Sequence, residues 1–290
     1  MTLQTFLFVF NNHTLGKPDS EQDFTFWEHL EALRWTILRS LGVVTLLLFV
    51  FFGFKDYVFS NIILPPLNSD FYTYRLFCLL GEKLKMPGLC PDDFRVQLIN
   101  INLSGQFVTH ITSSLIMAVV VSMPYLLFEI WRFINPALYA NERKNVSLIF
   151  LTSSFLFYLG ALVSYFLIFP LTIRFLGTYQ VSDLVTNQIS IQSYMNALAI
   201  LIFSLGIMFE LPIIILALNR IGLVSRKALK TFRKYAFVTI LIVAAVITPT
   251  TDPFTMLVVA LPIYLLYEVS ILVCKKDLPE SEEEAEKDEG

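Results

Sequence analysis

Apolar residues in this chain gather into long blocks separated by short charged segments. Leu41 to Phe54 is 14 residues without a charge, Ile111 to Phe128 is 18, and Val146 to Ile173 is 28. Blocks of this length suit helices that cross a hydrocarbon core of about 30 Å, whereas barrel strands would alternate over about ten residues. Six helices are predicted, over about 35–54, 107–128, 146–173, 191–218, 235–248 and 254–273. The fifth block, Tyr235 to Thr248, has 14 residues, roughly 21 Å as a helix. The sixth carries Glu268, which leaves 14 uncharged residues from Phe254 to Tyr267. These two are short crossings or a re-entrant hairpin, and both arrangements put Lys234 and Lys275 on one side.

Composition strengthens the picture. Of 290 residues, 56% are hydrophobic and only 16% charged, too few charges to cover a water-facing surface. The fold class is therefore an all-α polytopic membrane protein. Sidedness follows from the bases in short loops, which are retained in the cytoplasm. Glu129 to Asn145 holds Arg132, Arg143 and Lys144; Asn219 to Lys234 holds Arg220, Arg226, Lys227, Lys230, Arg233 and Lys234. The connections on the opposite face hold Arg174 alone, so both termini are placed in the cytoplasm. The long loop Lys55 to Ser104 has five bases but is of a length that translocates despite charge.

The formal charge of −3 hides a division: the last 14 residues, Asp277 to Gly290, carry eight of the 24 acids and one base. The chain divides into an N-terminal extension (1–24), expected to be disordered or interfacial, a six-span membrane domain (25–275), and an acidic cytoplasmic tail (276–290), expected to be disordered and solvated. The opening MTLQTFLFVF has no basic n-region and no small-residue cleavage site, so a cleaved signal peptide is not expected. Cys78 and Cys90 lie in the long loop; if it faces an oxidising compartment they are expected to form a disulfide, leaving Cys274 as apolar filler.

Three carboxylates fall within or beside the spans: Glu129, Glu210 and Glu268. Glu210 lies nine residues before Asn219, roughly 14 Å from that helix end. Ionised carboxylates in lipid are costly and usually face a cavity or a partner, although Glu129 and Glu268 are close enough to the interface to snorkel. Thr25 and Glu28 have capping-box spacing, and Phe26, Leu30, Leu33 and Ile37 form an apolar face that leaves Glu28 and Glu31 toward water. With Glu142 in the next cytoplasmic loop, these acids suit a cationic partner. The chain has no phosphate-binding G-x-x-x-x-G-K-[ST], no H-E-x-x-H and no G-x-S-x-G, and His13, His29 and His110 are dispersed. No enzyme activity, cofactor, metal or nucleic-acid partner is expected. Ser153 and Ser154 read as packing or back-bonded hydroxyls.

Several stretches together resemble a known family. Glu28-His29-Leu30-Glu31-Ala32-Leu33-Arg34, the run Pro124 to Arg143 containing Trp131-Arg132-Phe133-Ile134-Asn135-Pro136-Ala137-Leu138-Tyr139-Ala140-Asn141-Glu142-Arg143, then Phe209-Glu210-Leu211-Pro212, Thr248-Pro249-Thr250-Thr251-Asp252 and Leu266-Tyr267-Glu268 are similar to the TatC family, the receptor subunit of the twin-arginine protein translocase. The likeness runs from about 25 to 275. It implies six helices in a concave, glove-like bundle with short fifth and sixth helices, in the inner membrane of a bacterium. It also implies that Glu142, with Phe133 as its aromatic partner, binds the paired arginines of folded cargo's signal peptides, with Glu28 or Glu31 substituting for the missing family glutamate. Pro136, Tyr139 and Arg143 fall in the same signal-peptide-binding motif, where Pro136 and Tyr139 serve either that contact or loop shaping and interfacial anchoring. Guanidinium groups meet carboxylates bidentately, which gives a selectivity that lysine imitates poorly. Glu210 is implied either to meet the polar site of TatA- or TatB-type single-span helices or to wet the concave face, with Glu268 and Glu129 as further partner-helix or intramembrane polar candidates. The other implied partners are lipid and further copies of the chain, as a homo-oligomer or a multi-copy receptor complex. Asp252 and Pro253 fit an N-cap and first-turn pair after Pro249. One departure matters: Ala32 stands where the family has glutamate, and the acid appears one residue earlier at Glu31, a rotation of about 100° on a helix. Met256 stands where the family often has glutamine. The rival reading is a proton-coupled small-solute transporter with Glu210 as relay.

Overall fold

The computed structural model describes residues 26–85, 97–134, 146–182, 187–220, 222–248 and 252–274. The long helices are α1 (Phe26–Gly53), α4 (Gly105–Ile134), α5 (Val146–Val163), α6 (Phe169–Thr178), α7 (Ile191–Met208), α8 (Leu211–Arg220), α10 (Arg233–Ile247) and α11 (Pro253–Val273). Shorter pieces join them: α2 (Lys55–Val58), α3 (Tyr72–Leu84) and α9 (Arg226–Thr231). Among the described residues, five segments are long and apolar enough to cross a membrane: Leu30–Gly53, Gly105–Phe133, Ile149–Thr178, Ile191–Arg220 and Pro253–Val273. The fifth predicted helix is present as α10, whose 15 residues span roughly 22 Å.

Proline and glycine account for the interruptions. The third predicted helix continues to Thr178 but passes through a π-helical turn, Ser164–Ile168, just before Pro170. Pro170 has no N–H to return to the Phe166 carbonyl, and the Thr73 hydroxyl donates to that carbonyl instead. The fourth predicted helix breaks at Phe209 and Glu210, immediately before Pro212. Asp252 caps α11: its side chain accepts from the Thr255 N–H at 2.8 Å, and Pro253 occupies the first turn.

The long loop after α1 is structured rather than bare. Pro65 and Pro66 end a second π-helical turn, Phe59–Ile63, and strip nearby carbonyls of helical donors. Tyrosine hydroxyls replace them: Tyr165 donates to the Ile62 carbonyl and Tyr194 to the Ile63 carbonyl, both at 2.5 Å. Tyr74 donates to the carbonyls of Pro170 at 2.9 Å and Pro66 at 3.2 Å. Burial pushes the Tyr74 hydroxyl well above the ordinary phenol range, partly opposed by Arg174, so it remains a donor. A two-residue parallel pairing, Leu98–Ile99 with Ile189–Ser190, ties the end of this loop to the start of α7.

The core lies where α5 and α7 cross. A Cβ on Gly160 would sit 2.8 Å from the Leu205 carbonyl and within 2.7 Å of the Phe209 ring, while one on Gly206 would sit 2.5 Å from the Phe157 ring. Each glycine thus receives an aromatic from the facing helix, which lets the backbones approach closely. Helix α1 lies outside this core and packs on α4. The two run antiparallel, with the Phe52 carbonyl 3.1 Å from His110 Nε2 and the two rings stacked.

Candidate functional site

Antiparallel α5 and α7 set the register of the main polar site. Two turns before Gly160, α5 presents Ser153, and one turn after Gly206 comes Glu210 in the break between α7 and α8. Ser153 donates to Glu210 Oε2 at 2.5 Å, and the indole N–H of Trp131, in the last turns of α4, reaches the Ser153 oxygen at 3.4 Å. Glu210 is only 8% exposed, and its Oε1 has no hydrogen-bond partner among the described residues. The site therefore keeps one acceptor open inside an otherwise apolar span. Such an atom can take a hydrogen bond from a polar group on another helix. Ser154 Oγ, also buried, is likewise unsatisfied. The packing role read for Ser153 from the sequence is thus corrected: its hydroxyl serves the carboxylate. No spacing rule links positions 57 residues apart, so the contact was hidden until α5 met α7.

Glu129 does not snorkel. It is 2% exposed, takes a hydrogen bond from the Tyr125 hydroxyl at 3.0 Å on Oε1, and has Arg132 at 4.0 Å. Its Oε2 is buried without a partner among the described residues. Glu268 is different again. Arg233, at the start of α10, donates to it at 2.7 Å, and Tyr264 donates at 3.2 Å. Arg233 was counted in the sequence only as a sidedness marker; both residues lie at one end of the antiparallel pair α10 and α11, which is why they meet.

The predicted signal-peptide residues are only partly within view. Glu31 is exposed on α1, and Phe133 is half-buried in the last turn of α4; the antiparallel packing of the two helices puts them toward one end of the bundle. Glu28 belongs to α1, but its side chain lies outside the described residues, as do Glu142, Pro136, Tyr139, Arg143 and Pro249. Cys78, in α3, is disulfide-bonded; Cys90, its expected partner, also lies outside the described residues, and Cys274 is a free, buried thiol. No group of three or more metal-ligating side chains occurs among the described residues.

Comparison with known proteins places this arrangement. Residues 28–262 match the family described as Sec-independent protein translocase protein (TatC). A protein of that name from Blattabacterium sp. subsp. Periplaneta americana is 35% identical over 257 residues, covering 88% of this chain and 96% of the relative. The Aquifex aeolicus protein of the same name is 32% identical over 249 residues, covering 86% and 93%. A crystal structure titled as the twin-arginine translocase receptor TatC in DDM superposes with a TM-score of 0.68 at 32% identity, covering 86% of this chain and all of that one. With the family matched over most of its length and its fold shared with a solved relative, the chain belongs to the TatC family and is a multi-pass membrane component of the twin-arginine protein translocase.

Proposed function

We propose that this chain is the receptor subunit of its translocase, set in a bacterial inner membrane with six crossings and both termini in the cytoplasm. It captures the paired arginines of signal peptides on folded cargo and recruits single-span partner helices of the TatA or TatB type. It performs no catalysis of its own. The observation that carries the recruitment half is the open Oε1 of Glu210, held in place by Ser153 and Trp131 among apolar helices. A buried acceptor with no partner is costly, so a polar donor on an arriving helix gains affinity by satisfying it. The disulfide at Cys78 supports an oxidising compartment at the Gly53 end of α1, and hence the opposite, cytoplasmic side for Glu31 and Phe133.

Signal-peptide capture is assigned to Glu142 with Phe133, supported by the family motif that holds them. Because Ala32 replaces the family's glutamate in α1, Glu142 carries the larger share of guanidinium recognition. Glu142→Gln is expected to abolish export of a reporter with an Arg-Arg leader while the chain still inserts normally; undiminished export would remove Glu142 from the site. Glu210→Ala is expected to cut site-specific photo-cross-linking to a TatA- or TatB-type helix several-fold. Unchanged yields would leave Glu210 a purely internal packing group.

A further inference from the structure

The end of the bundle at which α11 stops also carries the densest run of bases in the chain. Helix α9 (Arg226–Thr231) rests on α11, where the Tyr267 hydroxyl donates to the Leu229 carbonyl at 2.8 Å, and it buries none of its side chains fully. Arg220, Lys230 and Lys234 are exposed and make no ion pair with a described carboxylate. Glu268, the acid on α11 nearest this surface, is already occupied by Arg233 at 2.7 Å. These three bases therefore face outward with no counter-charge among the described residues.

The sequence that follows α11 supplies that counter-charge. After the buried Cys274 come 16 residues, Lys275 to Gly290, in which Glu280, Glu282, Glu283, Glu284 and Glu286 fall within seven positions. Five intervening residues, Lys275 to Pro279, extend to roughly 17 Å, while the Tyr267–Leu229 contact holds α9 seven residues, roughly 10 Å along α11, from Cys274, so the linker is long enough for the acids to reach it. We propose that the acidic segment Glu280–Glu286 docks on the basic face formed by α9 and the start of α10, engaging Lys230 and Lys234. Each exposed pair is weak, but several tethered pairs act together at high local concentration. The docked segment screens a surface that would otherwise attract anionic lipid headgroups.

The test uses full-length protein in a neutral detergent, treated with a zero-length carboxyl-to-amine cross-linker and read by mass spectrometry. Mixing isotopically light and heavy protein separates links within a chain from links between chains. Expected are within-chain links from Glu280–Glu286 to Lys230 or Lys234 at about 50 mM salt. They should fall at least fivefold at about 500 mM, where the screening length drops to a few Å, and equally in a Lys230→Gln/Lys234→Gln variant. Links equally frequent to Lys55 or Lys83, or found only between chains, would overturn the proposal. So would loss of the links in phosphatidylglycerol nanodiscs but not in phosphatidylcholine ones, because lipid would then be the occupant.

Discussion

Helices α1 and α7 are both strongly apolar, and either would be taken for a membrane span, yet the structure treats them in opposite ways. Half of the most apolar window of the α7–α8 segment is buried, against none of that in α1. Trp27 of α1 is 78% exposed, while Tyr194, Leu201 and Leu205 of α7 are fully enclosed. Water cannot account for this, since a lipid tail is as apolar as leucine and gives no hydrophobic reason for two helices to meet. Shape and polar contact decide instead. The α7–α8 segment has Gly206 to receive Phe157 and, in the break, Phe209 to fill the space over Gly160 and Glu210 to hold Ser153. Helix α1 has Gly42 facing open space and meets α4 where His110 takes the Phe52 carbonyl and stacks on the Phe52 ring. A span that packs on a neighbour along one side leaves its other apolar side chains exposed.

Three changes would break or sharpen this contrast. The largest effect is expected from Gly160→Leu: the new side chain meets the Leu205 backbone, which cannot step aside, so about 3 kcal/mol of stability or outright loss of folded protein should appear in detergent thermal unfolding. Ser153→Ala comes next. It leaves both Glu210 oxygens buried without a donor at about 2 kcal/mol, and the cost should shrink in a Glu210→Gln background when the two are combined in a double-mutant cycle. Gly42→Leu should come last, shifting stability by less than about 0.5 kcal/mol because nothing lies within 4 Å of the new Cβ. A large loss there would mean that α1 is packed more like α7 than its exposure indicates.

Much of this was legible in the order of residues. Uncharged blocks located the helices to within a few positions, except that α1 begins near Phe26 because its amphipathic lead-in and the first span form one uninterrupted helix. Proline marked the break before Pro212 and the cap before Pro253, since it lacks an N–H and presets φ. The carboxylates were conspicuous because charge in an apolar block is rare. What could not be read was their company. Ser153 sits 57 positions from Glu210, and Arg233 35 from Glu268, and no periodicity joins such distances.

The sequence alone determined which stretches are long and apolar enough to cross a membrane, where their backbones must break, and which carboxylates are anomalous, because each of these follows from local hydropathy and covalent geometry. Only the tertiary structure decided how each carboxylate is answered. Glu268 meets a cation, Glu129 a tyrosine and a distant arginine, and Glu210 a single serine that leaves one oxygen open. That choice depends on which helix faces are brought together, and in an apolar solvent small residues and hydrogen bonds make it, not hydrophobicity.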